Sequence, residues 1–249
     1  MSALCKGRYR ARIAQNTDDL TAAQRLRAIA FLAGTQTDAH LLDKDPFDEA
    51  CTHILVEEIA GGRLVCCFRL LALCDGGEIG RSYSAQFYDL SALAKFQGAM
   101  VEMGRFCIDP DFNDPDILRV AWGAMTRFVD DHGVELLFGC SSFHGADAGL
   151  HHDALALLAA RHIAPRRWLP RVKSPSVVRL DHRLRRAKPD AERSMLTMPP
   201  LLRTYLMMGG WVSDHAVIDR HLDTLHVFTG LEIAAIPPAR KRLLRAVAQ

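Results

Sequence analysis

The stretch of residues 99–143 constrains the fold more than any other part of the chain. It holds an apolar run, a turn that contains proline, a long segment of helical periodicity and a second apolar run. In the helical segment, apolar residues recur every three or four positions, from Pro115 to near His132. A strand, a crossover helix and a second strand form a βαβ unit. We therefore predict two parallel neighbouring strands joined by this helix.

Two charged residues interrupt the first of these apolar runs. Glu102 and Arg105 are three positions apart, which places their side chains on opposite sides of an ideal strand. A charged group in a buried strand needs a partner, a bulge or a cleft. We expect a chemical site at this strand.

The rest of the chain alternates between helical and strand-like patterns. The patterns predict a helix at 18–33, a loop at 34–52 with a turn of helix, and strands at 52–57 and 64–73 that are joined by a Gly61-Gly62 turn. Further helices are predicted near residue 90, at 148–162, from Pro200 and at the C-terminal end, and further strands at 134–140, 176–180 and 224–228. The predicted class is mixed α/β with a central, mostly antiparallel sheet and one parallel pair.

Composition favours a globular protein with an uneven charge distribution. The chain has 249 residues, 49% hydrophobic and 24% charged, and no apolar run of the roughly 20 residues that span a bilayer. The first residues lack an apolar signal core, so we expect a cytoplasmic protein. From Arg161 to Arg193 there are eleven Lys or Arg against three Asp or Glu, a local excess of eight positive charges that leaves −6 elsewhere. Such a segment favours an anionic partner.

Metal and nucleophile motifs are missing from the sequence. The seven cysteines include no CxxC pair, the eleven histidines no HExxH motif, and the serines no G-x-S-x-G elbow. We therefore predict no metal site. The cysteines in apolar runs are expected to be buried thiols: Cys66, Cys67, Cys107 and Cys140.

Several separated segments resemble one bacterial family. They are, in chain order, DKDPFDEACTHILV, SYSAQFYDLS, VEMGRFCIDPDF and LLFGCSSFHGAD, and PPLLRTYLMMGG follows them. These segments resemble the ornithine N-acyltransferases of the GNAT superfamily, and the resemblance runs from about Arg27 to Phe228. A subset of residues is also similar to the acyl-homoserine lactone synthases: Arg27, Phe31, Asp45, Asp48, Arg69, Glu102 and Arg105. The tail from Met195 onward favours the ornithine group.

The resemblance implies a fold and a reaction. The fold would be a single GNAT-like acyltransferase domain over residues 1–249, with a splayed parallel strand pair, a basic insertion at about 161–193 and a C-terminal extension from about 195. The reaction would transfer a 3-hydroxy fatty acyl group from acyl carrier protein to the amine of ornithine, the first step of ornithine lipid synthesis. No cofactor is implied, because the phosphopantetheine-linked acyl group arrives as substrate.

Alternative functions remain open at the level of sequence. The acceptor is alternatively glutamine or another amino acid, and the product alternatively an acyl-homoserine lactone. A third alternative is a non-catalytic module that binds acyl carrier protein or a membrane surface.

Thioester aminolysis needs a deprotonated amine and donors for the carbonyl oxygen. The resemblance implies that Glu102 is the general base; the alternative is a structural carboxylate that holds Arg105 or Arg69. Arg105 is a candidate for binding the acceptor's carboxylate, with a buried pair to Glu102 or Asp48 as the alternative. By fold analogy, Tyr205 is a candidate acid for the leaving thiolate.

The substrate-binding candidates also follow from the resemblance. Asp45 and Asp48 lie in a loop that would line the acceptor pocket, where a carboxylate suits a second ammonium group. The alternative for Asp48 is a helix N-cap. The remaining candidates are Arg27, Phe31, Arg69, Phe106, Cys107, Ser141 and Phe143.

The turn before the crossover helix bears on the acyl donor. Relatives that use acyl-CoA have a glycine-rich turn there, whereas this chain has Asp111, Asp114 and Asp116. Carboxylates at a helix N-terminus repel a pyrophosphate, so we expect poor CoA binding. The candidate docking residues for an acidic carrier protein are Arg119, Arg166, Arg167, Arg171 and Lys173, with a solvated surface as the alternative.

The residues around Trp168 have a second candidate partner. Cations that alternate with an interfacial aromatic suit an anionic membrane surface, which would place the protein on the inner face of the inner membrane. Nucleic acid is not expected as a partner, because the aromatics are not interleaved with the basic residues and no recognition motif occurs.

Overall fold

The computed structural model describes residues 3–32, 41–180, 184, 186–187 and 189–248. Part of the predicted loop at 34–52 and part of the predicted basic insertion therefore lie outside the described residues. The chain divides into two compact units. The first is made of Met1–Ala72, Met103–Val134 and Pro238–Gln249, and the second of Leu73–Glu102 and Glu135–Pro237.

The elements are numbered in chain order. The strands are β1 (Leu4–Lys6), β2 (Tyr9–Ile13), β3 (Thr52–Glu58), β4 (Leu64–Leu73), β5 (Tyr88–Asp89), β6 (Met100–Ile108), β7 (Leu136–His144), β8 (Arg171–Val172), β9 (Val177–Arg179), β10 (Trp211–Asp219) and β11 (Thr224–Glu232). The helices are α1 (Thr17–Leu32), α2 (Pro115–Asp131), α3 (His152–Arg161), α4 (Ala191–Thr197), α5 (Pro200–Met207) and α6 (Pro238–Ala248).

The first unit is an antiparallel meander with a helix that begins and ends where the sequence predicts. Strands β1, β2, β3, β4 and β6 follow one another in the sheet, and β2 pairs antiparallel with β3, as β3 does with β4. The side chain of Asp114 caps α2 by accepting a hydrogen bond from the amide of Asp116, with Pro115 in the first turn. Gly133, at φ +58°, adopts the left-handed conformation that ends many helices. The predicted crossover helix is confirmed.

The second unit contains the parallel pair. Met100 pairs with Leu136 and Glu102 with Phe138 in parallel register, and β7 then pairs antiparallel with β11 along its whole length. Strands β10 and β9 extend the sheet, again antiparallel. The class predicted from sequence, mixed α/β with a mostly antiparallel sheet and one parallel pair, is confirmed.

Some elements differ from the sequence-based prediction. The helix predicted near residue 90 is a series of 3₁₀ turns, Gly76–Arg81, Ser84–Gln86 and Leu93–Lys95, together with the two-residue strand β5. The predicted helix at 148–162 begins as a 3₁₀ turn and becomes α-helical at His152. The hairpin β1–β2, strand β10 and helix α4 are additions. They are short or rich in polar residues, so their local periodicity is weak.

Strand β11 is longer than predicted, since its pairing with β7 continues through Gly230 to Glu232. A Cβ atom at Gly230 would lie 2.4 Å from the Trp211 ring, which packs over this position and stacks on Phe228. The missing side chain therefore makes room for an indole. Among the described residues, no helix has the length and hydropathy needed to cross a membrane.

Replacing this glycine tests the packing. We expect Gly230→Ala to destabilise the protein by roughly 1–3 kcal/mol, because the buried indole must move. Gly61→Ala is the matched control, because nothing lies within 4 Å of a Cβ at that turn position; its effect should stay within about 0.5 kcal/mol. Urea unfolding followed by tryptophan fluorescence measures both. Equal stability of the two variants would contradict the packing described for Trp211.

Candidate active site

A compact turn in the first unit presents two of the predicted acidic residues. Pro46–Asp48 form a 3₁₀ turn that is capped by Asp45, whose side chain accepts a hydrogen bond from the amide of Phe47 at 2.9 Å. The Asp48 side chain reaches back to the Asp45 amide and completes a capping box. The N-cap position predicted as the alternative role of Asp48 is therefore occupied by Asp45, and Asp48 lies at N3 of the turn.

Two buried arginines hold this turn. Arg27, from α1, is 1% exposed and donates from Nη1 to Asp48 Oδ1 at 2.6 Å. Arg69, from β4, donates to the same oxygen at 2.7 Å and binds both oxygens of Asp45 at 2.5 and 2.7 Å. The planar guanidinium of Arg69 therefore binds Asp45 in the bidentate geometry that suits a carboxylate.

Arg105 joins the same group through an irregular backbone. Its φ of +52° is uncommon for a residue with a side chain and breaks the alternation of β6. Its Nε donates to Asp43 Oδ2 at 2.9 Å, and its Nη2 pairs with Asp45 at 3.2 Å. Asp43 Oδ2 also accepts from Arg27 Nε at 2.8 Å. We call these three arginines and three aspartates the charge cluster: Arg27, Arg69, Arg105, Asp43, Asp45 and Asp48.

The charge cluster stabilises its ionised carboxylates. Burial raises the pKa of a carboxyl group, but hydrogen bonds from Arg27 and Gln24 outweigh burial at Asp48 and lower its pKa to about 2. Burial also raises the pKa of Asp45. The hydrogen bonds and the charge of Arg69 outweigh burial and lower this pKa below its ordinary value. Three positive and three negative groups thus neutralise one another.

Two atoms of the charge cluster lack hydrogen-bond partners among the described residues. One is Asp43 Oδ1, an acceptor, since both arginine contacts of Asp43 go to Oδ2. The other is Arg27 Nη2, a buried donor. An ammonium group can donate a hydrogen bond to Asp43 Oδ1, and a carboxylate can accept one from Arg27 Nη2. Sequence reasoning did not single out Asp43, although it opens the DKDPFDEACTHILV segment.

Glu102 lies in the second unit, where backbone amides hold it. Its Oε2 accepts from the Tyr83 amide at 2.7 Å, and its Oε1 accepts from the Ser84 amide at 2.8 Å and from Ser84 Oγ at 2.5 Å. The side chain is buried. Three hydrogen bonds therefore fix the position of this carboxylate. Tyr83 and Ser84 were not predicted as site residues, although they lie in the SYSAQFYDLS segment.

Tyr205, the candidate acid, is buried in the second unit. Burial raises the pKa of its hydroxyl well above the ordinary value, and the negative charge of Glu102 raises it further. A phenol in this environment keeps its proton and acts as a hydrogen-bond donor more readily than as an acid.

The other substrate-binding candidates occupy several different environments. In the first unit, Phe106 stacks on Phe68, Phe31 packs against the cluster that includes Leu26, and Cys107 Sγ lies 3.5 Å from Cys67 Sγ. In the second unit, Ser141 Oγ accepts from Thr229 Oγ1 at 2.9 Å, and Phe143 packs in the core beside α3. The hydrogen bond with Cys67 and burial raise the pKa of the Cys107 thiol. Their roles in substrate binding stay predictions.

Arginines compensate the acidic turn before α2. Arg63 pairs with Asp109 at 2.8 Å and with Asp111 at 3.0 Å. Arg8 pairs with Asp114 at 2.9 Å, and Arg119 with Asp116 at 3.4 Å. Since Arg8 and Arg63 come from distant parts of the sequence, the turn carries less negative charge than its local sequence indicates. Charge at this turn therefore gives a weaker argument against CoA than the sequence gives.

Some of the predicted docking residues in the basic segment contact other parts of the protein, and others are exposed to solvent. Arg167 pairs with Glu232 at 3.1 Å, and Lys173 donates to the Ala85 carbonyl at 2.6 Å. Trp168 is half-buried, packs edge-on against Phe96 and has a buried indole nitrogen. A membrane role for this segment stays a prediction. Arg166 and Arg171 are exposed, and Arg166 lines a groove of about 580 Å³ together with Arg161 and Leu169.

Comparisons with known proteins agree with this fold. An acetyltransferase (GNAT) domain model matches residues 26–123. An N-acyl amino acid synthase from uncultured soil microbes, FeeM, superposes with a TM-score of 0.52 at 11% identity, over 92% of this chain and 94% of that one. Residues 26–123 therefore belong to the GNAT class of fold.

Sequence relatives define the family within this class. The L-ornithine N(alpha)-acyltransferase of Rhodobacter capsulatus is 32% identical over 239 residues, which are 92% of this chain and 91% of the relative. The enzyme of the same name from Brucella abortus is 28% identical over 92% of this chain and 86% of its own length. The chain belongs to the family of the L-ornithine N(alpha)-acyltransferases, and the resemblance seen in its sequence is confirmed.

The charge cluster makes stability sensitive to Asp48. We expect Asp48→Asn to lower the free energy of unfolding by roughly 3–5 kcal/mol near neutral pH, because Arg27 and Arg69 lose a shared buried anion. The pKa of Asp48 is lower in the folded protein than its ordinary value of 3.8, so its contribution is complete above that pH and is lost as the pH falls towards 2. The difference between variant and wild type should therefore shrink over this range.

Urea unfolding at pH 7, 4 and 3 measures this difference. Asp111→Asn is the control, because Asp111 is 78% exposed and its pair with Arg63 should contribute no more than about 1 kcal/mol. Equal effects of the two substitutions would show that the buried pairs around Asp48 are not stabilising.

Proposed function

We propose that the protein transfers a 3-hydroxyacyl group from acyl carrier protein to the α-amine of L-ornithine. One observation carries the proposal: the match extends over nine-tenths of both chains to a relative named L-ornithine N(alpha)-acyltransferase. The amine attacks the thioester carbonyl, the carbon–sulfur bond breaks, and an amide and a free thiol result. The product is an amphiphile made from a charged amino acid and a long acyl chain.

The charge cluster supports ornithine as the acceptor. Ornithine carries a side-chain ammonium and an α-carboxylate. The open oxygen of Asp43 suits the ammonium, while Arg105 is our candidate partner for the carboxylate, since a guanidinium binds that group in a bidentate manner. Asp45 was the candidate for the ammonium in the sequence, but both of its oxygens accept from Arg69. We therefore assign the ammonium contact to Asp43, with Asp45 as its support.

For Glu102 we propose a positioning role. Its carboxylate accepts from the amides of Tyr83 and Ser84 and from Ser84 Oγ, and these three hydrogen bonds hold Tyr83 and Ser84 against β6. The general-base role implied by family resemblance is the alternative. The two roles differ in their pH dependence: loss of a base removes a titration from the kcat profile, whereas loss of an anchor lowers kcat at every pH.

A carrier protein as donor has support from charge. The segment from Arg161 to Arg193 has an excess of eight positive charges, and Arg166 and Arg171 are exposed on it. Such a surface attracts an acidic protein and accelerates encounter. CoA remains the competing donor, because arginines compensate the acidic turn before α2.

A panel of donors and acceptors tests the function. The enzyme is mixed with a 3-hydroxyacyl carrier protein or the matching CoA thioester, and with ornithine, lysine, glutamine or homoserine-derived acceptors. We expect mass spectrometry to detect the ornithine amide as the main product, with the carrier protein preferred by at least about tenfold in kcat/KM. A main product from glutamine, or equal use of both donors, would contradict the proposal.

The same assay resolves the role of Glu102. We expect Glu102→Gln to lower kcat without changing the shape of its pH profile, and Ser84→Ala to have a smaller effect in the same direction, because it removes one of the three donors to Glu102. Loss of the fall in kcat at low pH in Glu102→Gln alone would instead identify Glu102 as the base.

A further inference from the structure

One buried histidine of the second unit has a hydrogen-bonding atom that the proposed reaction does not use. His226, in β11, is 3% exposed, and its Nε2 atom has no partner among the described residues. Buried polar groups in folded proteins are nearly always hydrogen-bonded, so an unpaired one needs an explanation. A ligand group that reaches Nε2 would supply the missing partner.

The other nitrogen of this ring determines what Nε2 can do. The Tyr88 hydroxyl donates to the His226 carbonyl oxygen at 2.9 Å, which uses its only proton. His226 Nδ1 lies 3.1 Å from the same hydroxyl and therefore donates to its oxygen. Because a neutral imidazole carries a proton on only one nitrogen, Nε2 then has a free lone pair and is an acceptor.

The surroundings keep this imidazole neutral. Burial lowers the pKa of His226 to about 4, against the opposing charge of Asp219. The rings of Phe87 and Tyr88 pack against the imidazole, with centroids 5.1 and 5.6 Å away. A neutral acceptor among aromatic rings pairs with an uncharged donor at a lower desolvation cost than with an ammonium group. A hydroxyl group is such a donor.

His226 adjoins a part of the sheet that is open to solvent. Along one face of β7, exposure increases from the buried Phe138 through the half-buried Cys140 to the exposed Ser142. His226 pairs directly with Ser142 in the antiparallel register. Their side chains therefore lie on the same face, with Cβ atoms about 5 Å apart.

The same face of the second unit carries Glu102. Glu102 pairs with Phe138 in parallel register, and Ser84 Oγ donates to its carboxylate at 2.5 Å. Ser84 Oγ also lies 3.4 Å from Cys140 Sγ. A continuous row of side chains thus leads from Glu102 along β7 to the position of His226. A substrate chain that lies along this row reaches the unpaired Nε2.

We propose that His226 Nε2 accepts a hydrogen bond from the 3-hydroxyl group of the acyl donor, while Ser142 Oγ donates to the oxygen of that hydroxyl. This inference rests on the proposed function, because that reaction supplies a donor with a hydroxyl two carbons from the thioester carbonyl. The part-exposed Phe87 ring, which packs edge-on against the imidazole, rotates to admit the chain. His226 is then a specificity residue for the donor and takes no proton in the reaction.

The binding of two donors tests the proposal. The full chain is titrated without ornithine, once with a 3-hydroxyacyl thioester and once with the unsubstituted acyl thioester of the same length. Both thioesters are carried by acyl carrier protein in one series and by CoA in another, and isothermal titration calorimetry gives the Kd values. We expect the wild type to bind the hydroxylated donor about tenfold more tightly, because the unsubstituted chain leaves Nε2 unpaired. In His226→Phe, which keeps a ring, the ratio of the two Kd values should fall to about one.

A matched control separates the site from general effects of losing an imidazole. His132 is exposed and stacks on Phe128 in the first unit, so His132→Phe should keep the ratio of the wild type. Ser142→Ala, at an exposed position, should lower the ratio and serves as the second variant if His226→Phe folds poorly. Equal binding of the two donors by the wild type, or no binding in either series, would overturn the proposal. So would an unchanged ratio in folded His226→Phe or, where that variant does not fold, in Ser142→Ala.

Binding needs no turnover, which separates this inference from the proposed function. If His226→Phe abolishes the preference for the hydroxylated donor but the wild type forms no ornithine amide, the site is supported and the proposed function alone fails. If His226→Phe weakens the binding of both donors equally, the imidazole contacts the phosphopantetheine arm or its carrier, and the assignment to the 3-hydroxyl is wrong.

Discussion

The charge cluster is the constraint on which the organisation of the first unit depends. Arg27 and Arg69 are almost inaccessible to solvent, and both bind the same oxygen, Oδ1, of Asp48. A buried ion pair is a weak source of stability in comparison with apolar packing, but removing one partner leaves a buried charge without compensation. The six groups must therefore be present together. The arrangement fixes the loop at 43–48 against α1 and β4, and it leaves one carboxylate oxygen of Asp43 open.

The backbone at Arg105 shows how a strand supplies two different environments. An ideal strand would direct the side chains of Glu102 and Arg105 to opposite sides, and the left-handed φ of Arg105 changes that alternation. Such a conformation costs about 1–3 kcal/mol for a residue with a side chain, and the ion pairs to Asp43 and Asp45 offset it. Strained residues of this kind occur often at functional sites. Here the strain places a guanidinium beside the open oxygen of Asp43.

Patterns within a short window predicted much of this fold. The crossover helix α2 and its flanking strands follow from periodicity, a capping aspartate and a terminal glycine, all of which act locally. The D-P-F-D segment contains its own capping signal, so its turn was also predictable. By contrast, Asp43 pairs with Arg105 across 62 positions and Ser84 binds Glu102 across 18, and no local pattern contains that information. The polar strand β10 has weak periodicity, and its place beside β11 depends on long-range pairing.

The central claim is that the charge cluster recognises the side-chain ammonium of the acceptor through Asp43. The most direct measurement compares KM for ornithine and for norvaline, which lacks only that ammonium group, in wild type and Asp43→Asn. We predict that the wild type prefers ornithine by at least about tenfold and that the variant loses most of this preference, because one charge-assisted contact disappears. An unchanged ratio of the two KM values in a folded Asp43→Asn variant would contradict the account.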